Sequence, residues 1–163
     1  MKEITEIISG GQTGAERAAL DAAIRYDLPH SGWCPKGRKA EDGVLDGRYG
    51  LKETPNGEFI QHIERNVRNS HGTVILTLSS HLIGDSKKSA LFSETLGKPW
   101  IHIAGSAEIN PAQSLQRFVE ENEIKRLYVT GSRRKEEPGI YRWVYDVIED
   151  AFFWGIRNPV IIE

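Results

Sequence analysis

The sharpest chemical signal in the sequence is Ser9-Gly-Gly-Gln-Thr-Gly14. Glycines let a backbone turn tightly and approach an anion, and a helix that follows offers unpaired N–H groups and the positive end of its dipole. Gln12 and Thr13 add side-chain donors, so Gly10, Gly11, Gln12, Thr13 and Gly14 form a candidate cradle for phosphate or a similar oxyanion. The competing reading is a plain strand-to-helix turn that needs glycine for geometry alone. Two common phosphate loops are excluded. GxxxxGKS and GxxxxGKT need a Lys after the last Gly, where this chain places Glu16 and Arg17. The dinucleotide fingerprint survives only as Ser9, Gly11 and Gly14, and Gly32-Trp33-Cys34 stands where an acidic ribose ligand should close the second strand. Nicotinamide redox chemistry is disfavoured on that ground.

Cations crowd two further stretches: Lys36, Arg38, Lys39 and Arg48 in one, and Arg133, Arg134 and Lys135 in the other. On a chain of net charge -2, cations gathered on one rim would focus positive potential where a phosphate sits. Lys36, Arg38 and Arg133 are the candidates to face a ligand, whereas Lys39 and Arg134 are expected to face solvent. Nucleophilic and metal chemistry find little footing. Cys34 has no His at a telling spacing and reads as a small semi-buried hydrophobe. His30, His62, His71, His81 and His102 form neither HxH nor HExxH, and GxSxG is absent. Glu41-Asp42 reads as a loop ion pair before it reads as an acid–base pair. No metal ligand set and no catalytic residue are assigned, which favours a binding protein over an enzyme.

The elements that must position these residues follow from composition and periodicity. With 163 residues, 39% apolar and 27% charged, a single packed domain over 1–163 is expected. No run approaches the ~20 apolar residues of a membrane helix, and the start does not read as a secretory signal. Near-neutral charge disfavours nucleic acid as a partner. One cysteine allows no intrachain disulfide and fits a reducing cytosol.

Ile4–Ser9 reads as a buried strand. Ala15, Ala18, Ala19, Ala22 and Ala23 then line one face of a helix over about 14–26, small enough to lie close against a sheet. Residues 30–34 read as a strand and 35–56 as a long polar loop, a length that is usually functional or disordered. A helix over 59–69 leads to a central strand, 73–78. A helix over 86–96 ends at Gly97, and a strand follows at 100–104. Asn110-Pro111 caps the next helix, with Gln113 at the capping-box position, and 127–130 is a further strand. The last helix spans about 140–154, its aromatics on several sides. That excess suggests packing against another subunit as well as the home core; the alternative is a helix wedged under Pro159-Val-Ile-Ile162. Alternating strands and helices imply a Rossmann-like three-layer α/β/α fold with a mainly parallel sheet of about five or six strands. Ligands of such sheets bind outside the carboxyl ends of the strands, which points to loops 9–14, 79–89 and 131–138, with 35–50 beside them.

Several blocks carry a family resemblance. Ile7-Ile-Ser-Gly-Gly-Gln-Thr-Gly14 with Ala15-Glu-Arg-Ala-Ala-Leu-Asp-Ala-Ala23 resembles the opening of the molybdenum carrier proteins, a family within the Rossmann-like superfamily that also holds the LOG-type nucleoside-monophosphate hydrolases. Gly32-Trp-Cys-Pro-Lys-Gly-Arg38, Ala40-Glu-Asp-Gly43, Glu64-Arg-Asn-Val-Arg-Asn-Ser70, Gly97-Lys-Pro99, Gly131-Ser-Arg133 and Pro138-Gly-Ile-Tyr141 continue it along nearly the whole chain. The resemblance implies binding of molybdenum cofactor (molybdopterin, a pterin with a terminal phosphate) or of a related nucleotide-like phosphate ligand. It adds Ser86, Ser89 and Gly131 to the candidate site. Where the family's second rim loop reads GGT followed by Thr, this chain has Gly84-Asp85-Ser86 with Ser89. Asp85 would repel a phosphate, with Lys87 and Lys88 to offset it. Fold-level analogy to the LOG enzymes suggests N-glycosidic hydrolysis of a nucleotide as the alternative, but their PGGxGTxxE string is absent from 79–94 and Glu94 lies too far along its helix to match. A sensor of a nucleotide-derived signal is a further variant of the binding role.

Overall fold

The computed structural model describes residues 4–57 and 60–157. Ile4 is buried just ahead of β1 (Glu6–Ile8). The chain then forms α1 (Ala15–Arg25), β2 (His30–Ser31), β3 (Trp33–Cys34), β4 (Lys39–Ala40), β5 (Gly43–Val44), β6 (Lys52–Glu53) and α2 (Ile60–Asn69). It continues through β7 (Gly72–Thr77), α3 (Gly84–Thr95), β8 (Trp100–Ala104), α4 (Pro111–Glu121), β9 (Arg126–Gly131), α5 (Ile140–Phe152) and α6 (Trp154–Arg157). Five strands make one parallel sheet in the order β2-β1-β9-β7-β8. This is the Rossmann-like α/β architecture expected from the sequence.

Alternation along the strands divides the core into two layers. Ile7, Leu127, Val129, Val74, Leu76 and Ile103 pack with the alanine face of α1 and with Leu115, Phe118, Val144 and Ile148 of α4 and α5. Ile8 and Tyr128, one residue out of phase, face Val67 of α2, Phe92 of α3 and Leu96 just beyond its end. Thus α1, α4 and α5 cover one side of the sheet and α2 and α3 the other.

The expected strand over 30–34 divides at Gly32, whose φ is 142° and whose Cα lies so close to β1 that an added Cβ would be 2.0 Å from Ser9 O. No side chain fits there. The chain turns away, and β3 pairs with β6 outside the main sheet. The long polar loop expected over 35–56 contains a small ordered appendage. A β4–β5 hairpin and the β3–β6 pair surround Cys34, Leu45, Tyr49 and Leu51, which bury themselves against Leu20 of α1. Asn110 caps α4 as expected, its side chain accepting from Gln113 N at 3.2 Å, and α3 stops before left-handed Gly97. The last helix ends two residues early. Its aromatics find partners within the chain: Tyr26 stacks on Phe153, Tyr141 on Tyr145, and Trp143 lies over Gly105. Phe59 and Pro159–Ile162 lie outside the described residues.

Candidate functional site

The neighbouring strands β9 and β7 send their following helices to opposite sides of the sheet, α5 to one and α3 to the other. Such a divergence opens a crevice at the carboxyl ends of the strands. The β1–α1 loop (9–14) borders the same rim, because β1 lies beside β9.

The loop after β1 is already supplied with acceptors. Gly10 N and Gln12 N donate to the two carboxylate oxygens of Glu16, at 3.1 and 3.3 Å. Gly11 N donates to Ser9 Oγ at 3.4 Å and Thr13 N to Gln12 Oε1 at 3.0 Å. Ala15 N, at the start of α1, donates to Ser132 O at 3.1 Å. The Gly14 φ of 82° and the 2.4 Å from its virtual Cβ to Ser132 O make glycine obligatory at this junction. An internal carboxylate therefore sits among the loop amides that the sequence assigned to an external oxyanion.

Glu16 is buried, at 5% exposure. It also accepts from Tyr128 Oη at 3.2 Å. Burial, reinforced by the nearby charge of Asp85, lifts its carboxyl from 4.5 to about 7, while the donors from Gly10, Gln12 and Tyr128 pull the other way. The same burial, with Glu16 adjacent, raises the Tyr128 hydroxyl well above its ordinary range. The alanine stripe alone leaves Glu16 on the outer sides of α1. The available signal was its position three residues before Ala19 and seven before Ala23, on the buried stripe.

A second set of contacts ties the rim loops together. Thr13 Oγ1 donates to Glu41 Oε1, and Gln12 Oε1 accepts from Glu41 N at 2.7 Å. Arg134 N donates to Thr13 Oγ1 at 3.2 Å. Arg133 is joined to Asp85 by an ion pair and lies 4.0 Å from Glu41. The charge of Asp85, expected to oppose a phosphate, is thus met by Arg133, while Lys87 and Lys88 are exposed on α3. Glu137 closes the other end of the rim by accepting from Leu78 N and Ser79 N, both at 2.8 Å.

The remaining candidates are placed as follows. Gly131 packs so tightly that a Cβ would lie 1.9 Å from Leu76 O. Ser86 and Ser89 are buried on the first turns of α3, with Ser89 Oγ donating to Asp85 O at 2.9 Å. Arg38 is directed at its own appendage, donating to the carbonyls of Leu51, Asp46 and Tyr49 at 3.2, 2.9 and 2.8 Å. Lys36 is exposed. Asp42 forms a two-pronged pair with Arg17 at 2.9 and 3.0 Å, and Cys34 is fully buried. No cluster of three or more His, Cys, Asp or Glu suited to a metal ion occurs among the described residues, nor any helix long and apolar enough to cross a membrane.

Comparison with known proteins bears on the same architecture. Residues 7–152 match the model of the circularly permutated YpsA SLOG family. The chain belongs to that family. The permutation is legible in the sheet of this SLOG chain: counting strands from β9 turns the order β2-β1-β9-β7-β8 into 3-2-1-4-5, the order of a mononucleotide-binding half. In that count the leading strand is β9, the leading loop is Gly131-Ser-Arg133, and the switch point falls between β9 and β7. A crystal structure of a "putative molybdenum carrier protein" from Syntrophus aciditrophicus SB is 39% identical, covers 91% of this chain and 94% of its own, and superposes with a TM-score of 0.88. No curated protein matches the chain.

Proposed function

We propose that this SLOG protein is a carrier or sensor of a phosphorylated small molecule, a molybdopterin-like pterin or a related nucleotide, held in the crevice between the β9 and β7 loops. One observation carries this reading: α5 and α3 diverge at the β9/β7 switch point, leaving Arg133 half-buried between Asp85 and Glu41. A phosphate entering there would take the place of a carboxylate on the Arg133 guanidinium, which is suited to two-pronged oxyanion binding. Gly10–Gly14, Ser86, Ser89 and Gly131 would shape the walls, with Lys36 and Arg38 farther out on the appendage. Titration calorimetry with molybdopterin, AMP and GMP tests the reading. Binding is expected for at least one of them, weakened roughly 10- to 100-fold in Arg133→Ala. No binding by the folded protein, or equal binding by the variant, overturns it.

Buried Glu16 favours a second reading, hydrolysis of the N-glycosidic bond of a nucleoside monophosphate. The sequence offered no carboxylate at the substrate on 79–94, but Glu16 brings one to the floor beneath Gly10, and a carboxyl raised to about 7 suits proton donation near neutral pH. Release of free base that disappears in Glu16→Gln while ligand binding persists would support turnover. Release at background by the unaltered chain excludes it.

A further inference from the structure

The far edge of the sheet is chemically unlike the site. β8 is the last strand, pairing with β7 on one side only. Its five residues, Trp-Ile-His-Ile-Ala, carry no carboxylate, Lys, Arg or Pro. Edge strands of monomers are usually protected by charge, proline or a bulge, because an open row of N–H and C=O groups templates another strand. The neighbouring helix adds apolar surface. Leu91 of α3 is 68% exposed, and Ile109, on the loop leaving β8, is wholly exposed.

We propose that the occupant of this edge is a second copy of the chain, its β8 running antiparallel to the first about a two-fold axis near His102 and Leu91. The charges of α3 are arranged for that pairing. Lys87 and Glu94 lie on the side of α3 that faces β8, about 20° apart around the helix, so a two-fold axis between Ala90 and Leu91 sets each Lys87 opposite the other copy's Glu94. The bond from Trp100 Nε1 to Glu94 Oε1, 2.6 Å, fixes that carboxylate beside the strand edge.

The strand register agrees with the helix register. α3 runs against β8, and three helical residues rise about 4.5 Å, roughly one and a half strand positions. Leu91 therefore lies level with Ile101 and His102 when Glu94 lies level with Trp100. With the axis at His102, each Trp100 faces Ala104 of the other copy, which leaves room for the indole. α3 sits nearer β7 than β8, so the two helices would be separated by roughly three strand spacings, about 14 Å. Trp100 and His102 from each copy fill that floor, and the long Lys87 and Glu94 side chains span it. The result is a continuous ten-stranded sheet with both candidate sites open at its carboxyl rims.

Sedimentation velocity on the full chain across a concentration series tests the proposal. A dimer is expected, weakened roughly 30-fold or more by Leu91→Glu or by Lys87→Glu, and recovered in Lys87→Glu/Glu94→Lys. Leu91 and Lys87 are exposed, so the far-ultraviolet circular dichroism spectra of the single variants should match that of the parent and show the fold intact. Their melting should fall only by the stability that association adds. A monomeric parent overturns the proposal, as does a dimer indifferent to both single variants. Failure of the double exchange to recover association also overturns it. A dimer lost only in Trp154→Ala would locate association at the carboxyl-terminal helices instead.

Discussion

Glu16 holds a carboxylate where the sequence suggested a guest anion, and that substitution of inside for outside has a measurable consequence. Its carboxyl binds a proton up to about pH 7 in the folded chain and only to about 4.5 when unfolded. Between those values the native state retains a proton that the unfolded state has released. Stability contributed by this group is therefore fully present below 4.5 and falls as pH rises through the window, by roughly 3 kcal/mol in all. Urea unfolding near either end of the window should show the parent losing stability toward neutral pH relative to Glu16→Gln. Parallel pH profiles for the two proteins would show that Glu16 ionises without cost and that its burial is not what sets its proton affinity.

Among the elements, those with a strong period were legible and those set by long-range closure were not. The alanine stripe of α1, the β-branched run of β7 and the Asn110-Pro111 cap each follow from local chemistry, and each is present. The split at Gly32 was hidden because its cause, contact with the Ser9 carbonyl, joins residues 23 apart. The appendage was hidden for a related reason. Arg38 donates to three carbonyls of its own segment, a task that a cationic loop residue does not advertise in one dimension. For the candidate site, the strand ends alone set the loops after β1, β7 and β9 on one rim, whereas the pairing of Arg133 with Asp85 and its approach to Glu41 depend on the tertiary fold. Glu16 was missed because an acid flanked by an alanine face reads as the solvent side of a helix.

For the molecule as a whole, the permuted strand order makes the last described strand the middle of the sheet. β9 is hydrogen-bonded on both edges, to β1 and β7, and its residues Leu127 to Gly131 are buried on both faces. β7 is buried throughout and paired on both sides as well. Local opening exposes least of such strands, so their amides should exchange only through near-global unfolding. The appendage has two-residue strands, an exposed Gly43–Val44 hairpin arm and a core of its own, so it should open at a lower free energy without unfolding the sheet. Native-state hydrogen exchange should rank β9 and β7 slowest, β1 next and residues 39–53 fastest, with the outward amides of β8 slow in the dimer and fast in Leu91→Glu. Exchange of 39–53 as slow as that of β7 would mean that the appendage and the sheet form one cooperative unit. Arg38 and Tyr49 would then help to stabilise the whole fold and not only the flank of the crevice.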